Sequence, residues 1–177
     1  NPDFTCAKLF WWHNMNASAD FAITPRPMYP ADGRKIPDIY TTPGNLRDAL
    51  AGDLGQFPLF RFWGPAADIT SSQWIGRSAL SVRRRFGPTL TLVYLPHLDY
   101  NLQRLGPSHP GIAVDLAAVD AICGELIEDA ERDGARVVVL SEYGITNVER
   151  PVHLNRALRE AGLVVCREEM GREILDP

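Results

Sequence analysis

The chain has 177 residues, 45% of them hydrophobic and 23% charged, with 18 Lys and Arg against 22 Asp and Glu. Such a length and apolar fraction describe one globular domain with a core of its own and exclude wholesale disorder. A formal charge of −4 leaves no electrostatic footprint for nucleic acid or an anionic membrane, and no apolar run is long enough to span a bilayer.

Cys6, Cys123 and Cys166 are widely separated and form no C-x-x-C pair. They suggest neither a disulfide framework nor a thiolate zinc site, and are expected as small buried hydrophobes. Unpaired thiols lean towards a reducing, cytoplasmic compartment. The opening Asn1-Pro2-Asp3-Phe4-Thr5 has no signal-peptide character and no initiator Met, as in a processed chain or an excerpt of a longer one.

Residues 1–177 read as a single domain with two textures. Residues 1–68 are rich in Pro, Gly and aromatics, so long helices and central strands are interrupted. Short strands are expected at Ala7–Trp12 and Asp20–Ile23, a short helix at Leu46–Leu50, and ordered loops elsewhere in a cap-like segment. Tyr29–Ile39, with the Asp32-Gly33 turn signal, reads as a hairpin or loop excursion. Phe60–Pro65 could stack on a substrate, although proline-bounded aromatics more often anchor a loop in a core.

From 69 to 177 the pattern is regular. Ser71-Ser72 can cap a helix to Phe86, with Trp74, Ile75, Ala79 and Val82 on one side and Gly87-Pro88 as its stop. Arg83-Arg84-Arg85 fit the negative end of that helix dipole. Thr89–Leu95 reads as a buried strand, Ile112–Arg132 as a helix and Arg136–Leu140 as a second apolar strand. Val152–Ala161 reads as a helix with His153 on its surface, and Leu163–Cys166 as a third strand. The alternation implies an α/β fold: a mainly parallel sheet with helices on both faces. Ligands of such folds bind beyond the carboxyl ends of the strands, which directs attention to the residues after Leu95 and after Leu140.

Asp99 follows the first of these strands and Glu142 the second, each on an expected tight turn. Two carboxylates on one rim could hold a divalent ion such as Mg²⁺, Mn²⁺ or Zn²⁺, and on residue types alone they could equally be solvated turn acids. His97 shares a face with Asp99 if the strand continues. His109 is close enough to visit the rim, and His13 follows Trp11-Trp12.

The run Tyr94-x-Pro96-x-x-Asp99-x-x-x-Gln103-x-x-Gly106-Pro107 resembles the Y-x-x-x-P-D-x-x-G-H-x-x-G-P signature of type I phosphodiesterases / nucleotide pyrophosphatases, of the alkaline phosphatase superfamily. Val137–Ile145 is similar to that family's V-V-x-S-D-H-G-M. The resemblance implies an alkaline phosphatase-like fold, present in part, and metal-dependent hydrolysis of phosphodiester or pyrophosphate bonds. It implies two metal ions (zinc in the family, Mn²⁺ or Mg²⁺ being suited here), clamping the oxygens of an in-line displacement. A small phosphate ester such as a nucleotide would be the substrate.

By this resemblance Asp99 and Glu142 are the expected metal ligands. Gln103 stands where the family has His, Glu142 where it has Asp and Tyr143 where it has His; Gln103, Tyr143 and His97 are then weaker ligands or groups behind them. His13 and His109 would approach the substrate pocket. The family's nucleophile lies upstream of the region matched by Phe10-Trp11-Trp12 and a last metal-binding His downstream, so the chain is expected to be the central portion of such a domain with an incomplete catalytic site. Two alternatives follow from the changed ligands: a non-catalytic binding module that kept the fold, or a phosphonate or sulfate-ester hydrolase on the same platform.

Overall fold

The computed structural model describes residues 3–176, which divide into two compact units after Ile145. The first unit is built on a four-stranded sheet. Its strands are β1 (Cys6–Leu9), β2 (Phe21–Pro25), β3 (Ile39–Thr42) and β4 (Leu90–Val93), in the order β3-β2-β1-β4. β1 runs parallel to β2 and to β4, while β3 is antiparallel to β2, with Ile23 opposite Thr41. The sheet is therefore mostly parallel, as expected, but three of its strands come from residues 1–68.

Helices α1 (Leu46–Leu54), α2 (Ile69–Phe86), α3 (His97–Leu105) and α4 (Ile112–Arg132) accompany the sheet. The Asp68 carboxylate caps α2 by accepting from the Thr70 N–H at 3.0 Å, so the cap lies three residues before the expected Ser71-Ser72. Those two serines are buried instead. Gly87 closes α2 in the left-handed conformation (φ 56°), which only glycine adopts without penalty. Of the expected dipole cations, Arg83 spans to α4 and pairs with Asp129 at 2.7 Å and Asp133 at 3.0 Å.

The core collects Leu9, Ile23, Leu50, Leu59, Ile75 and Val82 around an aromatic knot. There the Phe10 ring lies 4.9 Å from Phe57 and 5.8 Å from Phe62, and Trp74 lies 5.2 Å from Phe57. Trp74 donates its indole N–H to the Gly55 carbonyl at 3.1 Å, which satisfies the one polar atom the knot buries. The Tyr29–Ile39 excursion closes through reciprocal backbone bonds between Met28 and Ile36.

Three expectations are corrected. The residues after Leu95 form helix α3 and not a tight turn, because Leu98, Leu102 and Leu105 recur at helical spacing once Pro96 has started the turn. Arg136–Leu140 joins no strand: Val138, Val139 and Leu140 are 74, 72 and 65% exposed. An apolar run has the length of a buried strand, but a strand exists only where a neighbour supplies its hydrogen bonds. Finally, Leu163–Cys166 is not a strand of the parallel sheet. The second unit instead carries α5 (Leu154–Glu160) and an antiparallel hairpin of β5 (Cys166–Glu169) and β6 (Arg172–Leu175). Positive φ at Met170 (54°) and Gly171 (72°) makes its two-residue turn one of the primed types that hairpins favour. Within that unit Arg159 of α5 pairs with Glu173 of β6. The three cysteines are unpaired and only partly buried.

Candidate functional site

A cavity of about 790 Å³ opens where the parallel strands end. Phe10 to Met15 follow β1, Thr24 and Pro25 end β2, and Tyr94, Pro96 and Asp99 follow β4. All three segments line it, together with Trp63 and with Tyr100, Gln103 and Arg104 of α3. This is the crevice beyond the carboxyl ends of the strands where α/β folds bind their ligands.

The lip after β1 has an unusual backbone. Phe10, His13 and Asn16 all take left-handed φ values (58, 51 and 58°) although none is glycine. A buried aromatic in that region costs conformational energy and persists only where the surroundings hold it. The restraints are visible: the Phe10 N–H donates to the Ile23 carbonyl at 2.8 Å, and its ring is locked in the aromatic knot. Asn14, 4% exposed, donates from Nδ2 to the carbonyls of Lys8 (2.9 Å) and Ile23 (2.7 Å), while its Oδ1 has no partner. Lys8 Nζ in turn donates to the His13 carbonyl at 3.1 Å. The lip is thus tied back onto β1 and β2.

Helix α3 explains where the motif residues go. Positions 97 and 99 lie on different faces of a helix, so His97 and Asp99 do not point the same way as they would on a strand. Asp99 lines the cavity, whereas His97 is buried, 5% exposed, with Nε2 at 3.2 Å from Asp115 Oδ1 on α4. Asn101, one turn on from His97, donates to the other oxygen of Asp115 at 2.7 Å. His97, Asn101 and Asp115 therefore fasten α3 to α4 behind the rim.

Tyr143 donates its hydroxyl to Asp99 Oδ2 at 2.6 Å, which brings two motif residues 44 positions apart into contact. That bond, then partial burial and the charges of Asp99 and Glu142, push the Tyr143 phenol up to about 12. Burial pushes the Tyr94 phenol up as well, helped by Asp99. Both are neutral phenols near neutral pH. Gln103 and His13 line the cavity; Glu142 is exposed and is not among the lining residues. His109 sits in an exposed turn, where its Nδ1 accepts from the Gly111 N–H at 3.1 Å, and does not line the cavity.

Residues 2–176 match the family model described as type I phosphodiesterase / nucleotide pyrophosphatase. The chain belongs to that family. No curated protein and no solved structure matches it.

Type I phosphodiesterases hydrolyse phosphodiester bonds and are generally metal-dependent, so the donors at the rim bear on which ion could bind. Among the described residues no group of three or more His, Cys, Asp or Glu is placed to hold a metal. The donors gathered with Asp99 are the amide oxygen of Gln103, the phenols of Tyr94, Tyr100 and Tyr143 and, across the cavity lining, the one imidazole of His13, with no thiolate among the described lining residues. This set does not fit zinc, which takes nitrogen and sulfur ligands in closed sites. It fits a hard ion such as Mg²⁺, which binds through one or two carboxylates and takes other oxygens from water and from substrate phosphate.

Sequence reasoning missed Tyr100, Arg104 and Asn14 as cavity residues and Asp115 as the partner of His97. The signal was present for the α3 pair: once a helix is drawn from Pro96, Tyr100 and Arg104 fall on the same side as Asp99 and Gln103.

Proposed function

We propose that this protein hydrolyses phosphodiester bonds at the cavity beyond β1 and β4, with Asp99 as the carboxylate that addresses the phosphoryl group through a divalent cation. The observation that carries the reading is the presentation of Asp99 at the strand ends of a mostly parallel sheet, inside a cavity large enough for an organic ester. A divalent cation would be held by Asp99, with the Gln103 carbonyl and, from the exposed segment beside Tyr143, Glu142 as further oxygen donors, and would supply Lewis-acid stabilisation of charge on phosphoryl oxygen.

The chain's own groups do the rest. Tyr143 holds Asp99 by one oxygen, which fixes the carboxylate and leaves Oδ1 for the ion. His97 and Asn101, anchored on Asp115, keep α3 from sliding on α4, so that Asp99 and Gln103 stay in register with the cavity.

The test is Asp99→Asn in the full-length protein, assayed with bis(4-nitrophenyl) phosphate and added Mg²⁺ or Mn²⁺. Turnover should fall at least about 100-fold with an unchanged melting temperature; undiminished turnover would sink the assignment. A second reading, a non-catalytic binding module, is favoured by one observation: the Tyr143 hydroxyl already occupies an oxygen of Asp99. It predicts no turnover in the wild type with any divalent ion.

A further inference from the structure

Hydrolysis of a diester hands a proton to the oxygen that leaves, and few groups around the cavity are able to give one. Among the described lining residues Arg104 is the one Lys or Arg, and a guanidinium keeps its protons. The Tyr100 hydroxyl is engaged with the Phe62 carbonyl at 2.9 Å, and burial pushes its phenol up. Burial, helped by Asp99, pushes Tyr94 up as well. Asp99 is an acceptor, taking the Tyr143 hydroxyl at 2.6 Å. The group that remains is His13, and histidine is the side chain that gives and takes protons near neutral pH.

The other three histidines lie elsewhere: His97 is buried against Asp115, His109 sits in its own turn and His153 precedes α5 in the second unit. His13 takes a left-handed φ of 51°, which a residue other than glycine keeps only under restraint. The restraint comes from both sides. Its carbonyl accepts from Lys8 Nζ at 3.1 Å, and Asn14, the next residue, is bonded to the carbonyls of Lys8 and Ile23. All of these bonds hold the backbone, and among the described residues none engages the imidazole. A strained, anchored backbone thus keeps an unengaged imidazole on the wall of a cavity, which is where stored strain has a use.

We propose that His13 is the general acid of the reaction and gives its proton to the leaving oxygen. The proposal rests on the phosphodiesterase reading for the site and adds a catalytic residue to it. As the P–O bond to the leaving group breaks, its electron pair stays on that oxygen and the imidazolium proton joins it. The water consumed in the hydrolysis returns a proton to the imidazole. Diester and water become monoester and alcohol, and the histidine ends as it began.

The experiment measures kcat/KM for methyl 4-nitrophenyl, methyl 4-chlorophenyl and methyl phenyl phosphate with added Mg²⁺, using the full-length wild type, His13→Asn and His13→Gly. Asparagine and glycine both tolerate a left-handed φ, and the His13 side chain is exposed, so the lip should keep its shape and the melting temperature its value. Acid catalysis matters most where the leaving oxygen is a strong base. His13→Asn should therefore slow the phenyl ester about 100-fold and the nitrophenyl ester by less than about tenfold, with the chlorophenyl ester between them. Added imidazole should restore turnover of the phenyl ester by His13→Gly. An equal fall across the three esters, or no fall in either variant, would overturn the proposal and leave the hydrolase reading standing. A wild type that turns over none of the esters would remove both.

Discussion

Tyr143 and Asp99 are joined by a single hydrogen bond that joins the two motifs, and its titration follows from the direction of the shift. The phenol is raised from 10.0 to about 12, chiefly because the hydrogen bond to Asp99 exists only while the phenol keeps its proton, with partial burial and the charges of Asp99 and Glu142 adding to it. A raised value means that the folded state favours the protonated form. The contact is therefore intact below pH 10 and is lost as pH climbs through about 12. An alkaline titration of tyrosinate absorbance should show one tyrosine ionising near that upper value. Tyr143→Phe should delete the step, and Asp99→Asn should move it back towards 10; a wild-type profile identical to that of Tyr143→Phe would refute the contact. This also decides what Tyr143 is near neutral pH: a hydrogen-bond donor to the carboxylate and not a phenolate. The motif singled out Asp99 as a metal ligand and Gln103 as a weaker ligand or a group behind it, and both side chains line the cavity. It could not place His97, because the same two-residue offset means one face in a strand and separate faces in a helix.

Among the elements, the α2–α4 contact offers the sharpest test. Gly76 is buried in α2, and a Cβ built on it would lie 2.6 Å from Cγ2 of Ile122 on α4. Alanine should stabilise a helix interior by about 1 kcal/mol relative to glycine. Here the clash opposes that gain at about 1–3 kcal/mol, because Ile122 is β-branched and its χ1 is nearly fixed in a helix. Gly76→Ala is expected to lower the melting temperature, and adding Ile122→Leu, which removes the offending methyl, should recover it. A more stable single variant would show that the helices part freely. Element boundaries were legible where capping and periodicity agree: α4 runs over Ile112–Arg132 as its spacing predicts, and α2 ends at Gly87. The start of α2 was misread because Ser71 and Ser72 are good caps in isolation, yet their positions face the core and Asp68 is free to turn its carboxylate onto the helix end.

At the scale of the molecule, the mostly parallel architecture was legible and so were β1, β2 and β4, but β3 was missed and two runs, 136–140 and 163–166, were added to the sheet in error. The short β1, β2 and β3 are separated by proline-rich loops and carry half-buried residues, so they give a weaker signal than the aliphatic Val137–Leu140. Burial of a run depends on what lies opposite it, which local composition does not contain. The structure leaves residues 136–140 without strand partners, so their amides should exchange with solvent far faster than those in the middle of α4. Protection there equal to that of β4 would contradict this part of the fold.

Asn14 has a consequence for the lifetime of the protein. Its carboxamide works in one orientation only, with both bonds made by nitrogen and received by carbonyl oxygens of β1 and β2. Exchanging that nitrogen for oxygen, which is all that side-chain hydrolysis to aspartate does, would aim an anion at two carbonyls in a largely buried position. Ageing at this one amide would loosen the restraint on a strained turn, and the cavity would lose its shape before the core lost any of its packing.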